Sequence, residues 1–255
     1  MAAALLPPTW RPTWRPTLRP SLAPLIGILG GMGPAAAADL MQKMIEETAA
    51  TCDQEQIPVV CWNVPQIPDR QRALAGIGAS PLPAMLTGIA ALNAAGATRI
   101  VIACNTAHHW FDALAAHSAA PIIHIADATL AALPQEPSLT RIGLLATQGT
   151  LDTGLYQARL ATAGITCVIN TPDEMATLFT PGCYAVKQGR VEEGGAALAA
   201  AAQCLVARGA QRLVLACTEV PIALARIDSV LLAMSIDPTR ALARQCAQYW
   251  DSVRT

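Results

Sequence analysis

From Pro24 onward, short apolar runs alternate with longer stretches in which apolar residues recur every three or four positions. Residues 25–29 (LIGIL) form one such run. It ends in the loop Gly30-Gly31-Met32-Gly33-Pro34, and a helical pattern follows over about 35–48. This order predicts a strand, a glycine turn and a helix. Residues 59–63 and 100–103 predict further strands, and 81–95 a helix. Buried strands alternating with helices at this spacing predict a parallel α/β sheet.

The pattern then starts again. Residues 96–104 read GATRIVIAC and residues 209–217 read GAQRLVLAC, while IGIL at 26–29 is matched by IGLL at 142–145. The offset is 113 residues for the cysteine motifs and 116 for the strand motifs. Two motifs at nearly one offset point to an internal duplication. The expected fold is therefore α/β: two similar parallel-sheet domains related by a pseudo-two-fold axis, with the active site in the cleft between them. The first domain is expected over 24–121 plus 236–255 and the second over 122–235. Residues 8–20 (PTWRPTWRPTLRP) are too dense in proline for a regular helix, so 1–23 reads as a disordered extension or an artefact of an upstream start.

In parallel sheets, side chains just beyond the strand C-termini face the binding crevice. Cys104 and Cys217 both occupy such positions. Taken singly, either is an inert buried thiol, the commoner fate of cysteine. As a matched pair facing one cleft they suit proton transfer at a carbon acid, one starting as thiolate and the other as thiol. A thiol ionises near 8.5 and is easily shifted. Each precedes an expected helix, whose N-terminal N–H groups would favour a thiolate. Asn105-Thr106-Ala107 and Thr218-Glu219 place small polar groups beside the thiols, suited to an α-carboxylate. The turn holding Met32 brings backbone close to a substrate. It lacks the GxGxxG spacing of a dinucleotide site.

Composition narrows the classes. The chain has 255 residues, 53% hydrophobic, 14% charged and only 4% aromatic, enough for a substantial core. A formal net charge of −1 gives no reason to expect nucleic acid or an anionic membrane as partner. No apolar run is long enough to span a bilayer. The eight cysteines form no CxxC pair and no zinc-like spacing, and in a chain of this size they read as reduced thiols of a cytoplasmic protein. No GxSxG elbow supports a serine hydrolase. His108 and His109 are adjacent and cannot both face the site.

At these residues the chain resembles the aspartate/glutamate racemase family, and within it the aspartate racemases. The matching motifs are IGILGGMGP at 26–34, PQIPDR at 65–70, ACNTAH at 103–108, LLAT at 144–147 and ACTE at 216–219, and the likeness runs over about 25–250. The resemblance implies a two-domain α/β fold, no pyridoxal phosphate and no metal, a small amino acid as substrate, and a homodimer. It implies Cys104 and Cys217 as the two catalytic bases. Arg70, in the PDR motif, would bind the substrate's side-chain carboxylate with help from Lys187, and Asn105, Thr106 and Ala107 would contact substrate. Residues 124–129 (HIADAT) look more like broad-specificity members. A broad-specificity or glutamate racemase, a maleate isomerase-like enzyme using one Cys as nucleophile, and a non-catalytic binding protein are the competing readings.

Overall fold

The computed structural model describes residues 24–254, so the extension expected over 1–23 lies outside the described residues. Two four-stranded parallel sheets form the frame. The first contains β1 (Ile26–Leu29), β2 (Val59–Trp62), β3 (Arg99–Ile102) and β4 (Ile122–Ile123), in the order β2-β1-β3-β4. The second contains β5 (Arg141–Leu144), β6 (Thr166–Ile169), β7 (Arg212–Val214) and β8 (Ser235–Ile236), in the order β6-β5-β7-β8. The two orders are the same. So are the registers: Ile26 faces Arg99 across β1 and β3, and Ile142 faces Arg212 across β5 and β7. The sequence repeat is thus a repeat of position in the fold.

The central strands β1, β3 and β5 are buried beyond their first residues, Arg99 of β3 being half-buried and Arg141 of β5 exposed, as apolar runs covered by helices on both faces should be. The first helix, Pro34–Glu47, begins one residue before the periodic pattern does. Pro34 sits in its first turn, where a missing N–H costs nothing. Gly31, at φ +88°, turns the chain out of β1; a Cβ there would lie 2.2 Å from the Val64 carbonyl oxygen, so glycine is required.

The chain leaves the second sheet after Ile236 and returns across the first unit. The C-terminal helix Pro238–Val253 lies against the helices Pro34–Glu47 and Ile125–Ala131. It buries Ala241, Leu242 and Cys246 there. A fully buried leucine contributes about 1.5–3 kcal/mol, more than the half-exposed pairs of Arg240 and Arg244 with Glu47. Buried Lys43 sits between Asp39 at 2.5 Å and Asp237 at 2.6 Å and links the two ends of the chain. Among the described residues no helix is long and apolar enough to cross a membrane.

Candidate active site

The C-terminal ends of the central strands open onto one cleft between the two units. β3 runs directly into Cys104, Asn105 and Thr106, and β7 into Cys217, Thr218 and Glu219. Both cysteines line the cleft together with Met32, Arg70, Asn105 and Thr106 of the first unit and Lys187, Thr218 and Glu219 of the second. Ala107 does not line it. That residue is fully buried and packs in the core of the first unit with Cys104 and Leu114. The HIADAT segment also contributes no lining side chain. His124 caps the helix Ile125–Ala131, and Thr129 donates to the Ile125 carbonyl.

Cys217 is held as an acid. Its thiol donates to Glu219 Oε2 at 3.0 Å and lies 3.7 Å from the Sγ of Cys183. The contact with Cys183, burial and the Glu219 carboxylate all push the thiol well above its usual range, against a smaller opposing pull from Lys187. The helix expected after Cys217 is present as Glu219–Arg226. Its effect is the reverse of the one expected, because Glu219 opens that helix and turns a carboxylate toward the sulfur. Lys187 Nζ lies 3.5 Å from the other oxygen, Oε1. Burial pulls the lysine down, but the charge of Glu219 and the ionisable thiols Cys217 and Cys104 outweigh this and raise it, so Lys187 is a cation.

Cys104 has different neighbours. It is followed by the short 3-10 helix Thr106–Trp110, and its carbonyl accepts from Nδ1 of His108 at 2.8 Å. Nε2 of the same ring accepts the Ile125 N–H at 3.1 Å, which places the ring proton on Nδ1. Burial, with repulsion from His124, depresses His108 to about 3, so the ring is neutral and holds the Cys104 backbone. Asn105 Oδ1 accepts from the Tyr156 hydroxyl at 2.5 Å, and Asn105 Nδ2 is buried without a partner. Burial holds the Tyr156 phenol above its usual range, so it stays a donor.

Arg70 opens the helix Arg70–Leu74, whose N-cap is Asp69. Its guanidinium donates to the carbonyls of Ile67 and Pro68 at 3.2 and 2.9 Å, and its buried Nε has no partner. Those bonds aim the group but leave its charge without a carboxylate among the described residues.

Four residues that sequence reasoning did not place support the site: Gln71 lines the cleft, Thr150 and Tyr156 are fully buried, and Cys183 lines the neighbouring cavity. Gln71 Nε2 donates to Thr106 at 3.1 Å and to Thr147 at 2.9 Å, while its Oε1 accepts the Gly149 N–H at 2.8 Å. Thr106 Oγ1 is also within 2.8 Å of Thr150. This network ties the first unit to the second across the cleft floor and leaves the Thr106 hydroxyl fully engaged. Tyr156, from the second unit, orients Asn105 of the first. Cys183 lies one turn before Lys187 on the helix Thr180–Lys187, so both reach the same face. That spacing was the one available signal for Cys183, which otherwise reads as structural. No cluster of three or more His, Cys, Asp and Glu side chains suited to a metal ion occurs among the described residues.

Comparison with known proteins bears on the family and the fold. The family model described as Asp/Glu/Hydantoin racemase matches residues 29–246. The solved structure of Picrophilus torridus aspartate racemase superposes with a TM-score of 0.78 at 28% identity, covering 90% of this chain and 95% of that one. An uncharacterized protein in the pnlA 3′ region of Pectobacterium carotovorum subsp. carotovorum is 30% identical over 142 residues, 55% of this chain and 93% of the relative. The broad specificity amino-acid racemase RacX of Bacillus subtilis (strain 168) is 26% identical over 140 residues, 52% of this chain and 59% of that relative.

Proposed function

Because the chain belongs to the Asp/Glu/Hydantoin racemase family, and so is a racemase, we propose that it interconverts L- and D-aspartate by two-base proton transfer at Cα between Cys104 and Cys217. The observation that carries this reading is the pairing of both thiols with Arg70 and Lys187 in one cleft. The cleft then offers an acid–base pair and, beside it, two cations for an anionic substrate.

In the proposed cycle a thiolate at one cysteine removes the Cα proton, and the thiol at the other returns a proton to the opposite face. Each turnover exchanges their roles, so the reverse reaction uses the same groups. Cys217, protonated against Glu219, is the donor of the resting enzyme, which makes Cys104 the first base. The Asn105 amide supplies a free, oriented N–H for the α-carboxylate; an unpaired buried donor costs about 1–3 kcal/mol until a ligand satisfies it. Arg70, already aimed by two carbonyls, takes the side-chain carboxylate, and Lys187 adds a second positive charge. The proposal includes a homodimer in the cytoplasm with reduced thiols, and sedimentation at twice the chain mass tests the first of these.

The likeness to a broad specificity racemase supports a second reading, in which neutral amino acids are also substrates. Chiral chromatography after incubation with aspartate, glutamate and a neutral panel separates the two. Arg70→Ala sharpens the test. Removing a charged hydrogen-bond partner costs about 1.5–3 kcal/mol, so kcat/KM for aspartate should fall roughly 10- to 150-fold while alanine, if turned over, changes less than about threefold. Equal losses on both would remove Arg70 from side-chain recognition.

A further inference from the structure

Cys183 has no part in the proposed proton transfer, yet it is buried against one of the two acid–base thiols. The Sγ atoms of Cys183 and Cys217 are 3.7 Å apart, and this is the one thiol–thiol contact among the described residues. They arrive from different elements, the middle of the helix Thr180–Lys187 and the end of β7. Both also line a second cavity beside the cleft, with Phe179, Tyr184 and Lys187, and Tyr184 is about half exposed at its edge. A small solute therefore has a route to both sulfurs. Closing the gap to a disulfide needs the sulfurs to approach to about 2.05 Å.

We propose that Cys183 and Cys217 are a redox modification site, joined into an intramolecular disulfide by a hydroperoxide. The step balances with peroxide as the two-electron oxidant. The Cys217 thiolate, present whenever that residue has given its proton to substrate, attacks one peroxide oxygen to form a sulfenic acid and release hydroxide. Cys183 Sγ then attacks the sulfenic sulfur; the S–O bond breaks, and the Cys183 proton leaves with the oxygen as water. The hydroxide takes up a solvent proton, so two thiols and one hydrogen peroxide give one disulfide and two waters. Cys183 acts as the resolving thiol that intercepts the sulfenic acid before irreversible oxidation. Among the described residues Cys104 has no such neighbour.

The contact between the two thiols does not depend on the racemase reading; the thiolate supplied by turnover, the acceleration by aspartate and the loss of activity rest on it. The test treats the full chain with a few equivalents of hydrogen peroxide, with and without aspartate, then maps peptides without reduction and assays racemisation before and after dithiothreitol. The expected result is a peptide pair joined at Cys183 and Cys217, lighter by two hydrogens, formed faster with aspartate present, and activity that falls at least tenfold and returns with dithiothreitol. Cys183→Ser should be inactivated by the same treatment without recovery, Cys217 ending as sulfinic acid. A Cys104–Cys217 link, or Cys217 over-oxidised in the wild-type chain with no cross-link, would overturn the proposal. The wild-type map decides even where the variant folds poorly or no amino acid is turned over.

Discussion

Cys104 and Cys217 stand at matched ends of β3 and β7, in matched registers of two sheets with one topology, and their immediate surroundings are opposite in kind. The Cys217 side is ionisable: a carboxylate accepts the thiol proton, a lysine pairs with the carboxylate, and a second thiol lies against the first. The Cys104 side is neutral: a histidine depressed to about 3 holds the backbone, and a tyrosine orients the neighbouring amide. The repeat places two equivalent backbone positions at the cleft, and the side chains around them differ: one thiol is held protonated beside a carboxylate, and the other, in the proposed cycle, begins as base. Under the proposed mechanism, the symmetry lies in where the two sulfurs stand and the order of action in what touches them.

Substitutions that erase the difference should have the largest effect after loss of either cysteine. Glu219→Gln removes the charge that helps hold Cys217 protonated. The thiol then ionises more readily, so the alkaline limb of the kcat/KM profile, where the donating proton is lost, should move to lower pH. Loss of a positioned acid–base partner gives roughly 100-fold slower turnover. An unmoved alkaline limb would separate Glu219 from the acidity of Cys217. Tyr156→Phe acts on the other side. It leaves the buried Asn105 carbonyl oxygen unpaired, so stability should fall by about 1–3 kcal/mol and KM should rise several-fold with kcat little changed. Urea unfolding with parallel kinetics checks both, and a kcat-only effect would contradict the orienting role.

The smallest effect on turnover should come from His108. Folded, it ionises near 3; unfolded, near 6.5. Between those values the unfolded chain binds a proton that the folded chain does not. Stability is thus fully present above pH 6.5 and declines as pH falls toward 3, by about 1.4 kcal/mol per pH unit from this residue. His108→Gln keeps a donor and an acceptor without the titration, so its stability should fall less steeply between pH 7 and 5. Identical slopes would place the acid sensitivity elsewhere.

Much of this arrangement is legible in the chain itself. The strands read as apolar runs because parallel strands covered on both faces carry no alternation, and the bounds expected at 25–29, 59–63 and 100–103 fall within one residue of β1, β2 and β3. The two AC ends were visible because the residues around them are repeated. Lys187 emerged through family resemblance alone. Cys183 and Tyr156 were not legible as site residues, since their partners lie 34 and 51 residues away and no local period encodes how helices pack across a cleft. Gln71 was hidden beside Arg70 for a similar reason: its partners Thr147 and Gly149 belong to the other unit. The two-residue strands β4 and β8 are too short to show a period at all.

The most direct test compares the wild-type chain with Cys104→Ala and Cys217→Ala, each incubated with L- or D-aspartate separately in D2O, with chirality and Cα deuterium read together. Two opposed bases predict inverted, deuterated product from the wild type and at least a thousandfold loss of inversion in each variant. The remaining thiol should still exchange the Cα proton of one enantiomer in Cys104→Ala and of the other in Cys217→Ala. Inversion surviving in either variant, or both variants exchanging the same enantiomer, would contradict a mechanism built on one thiol at each face.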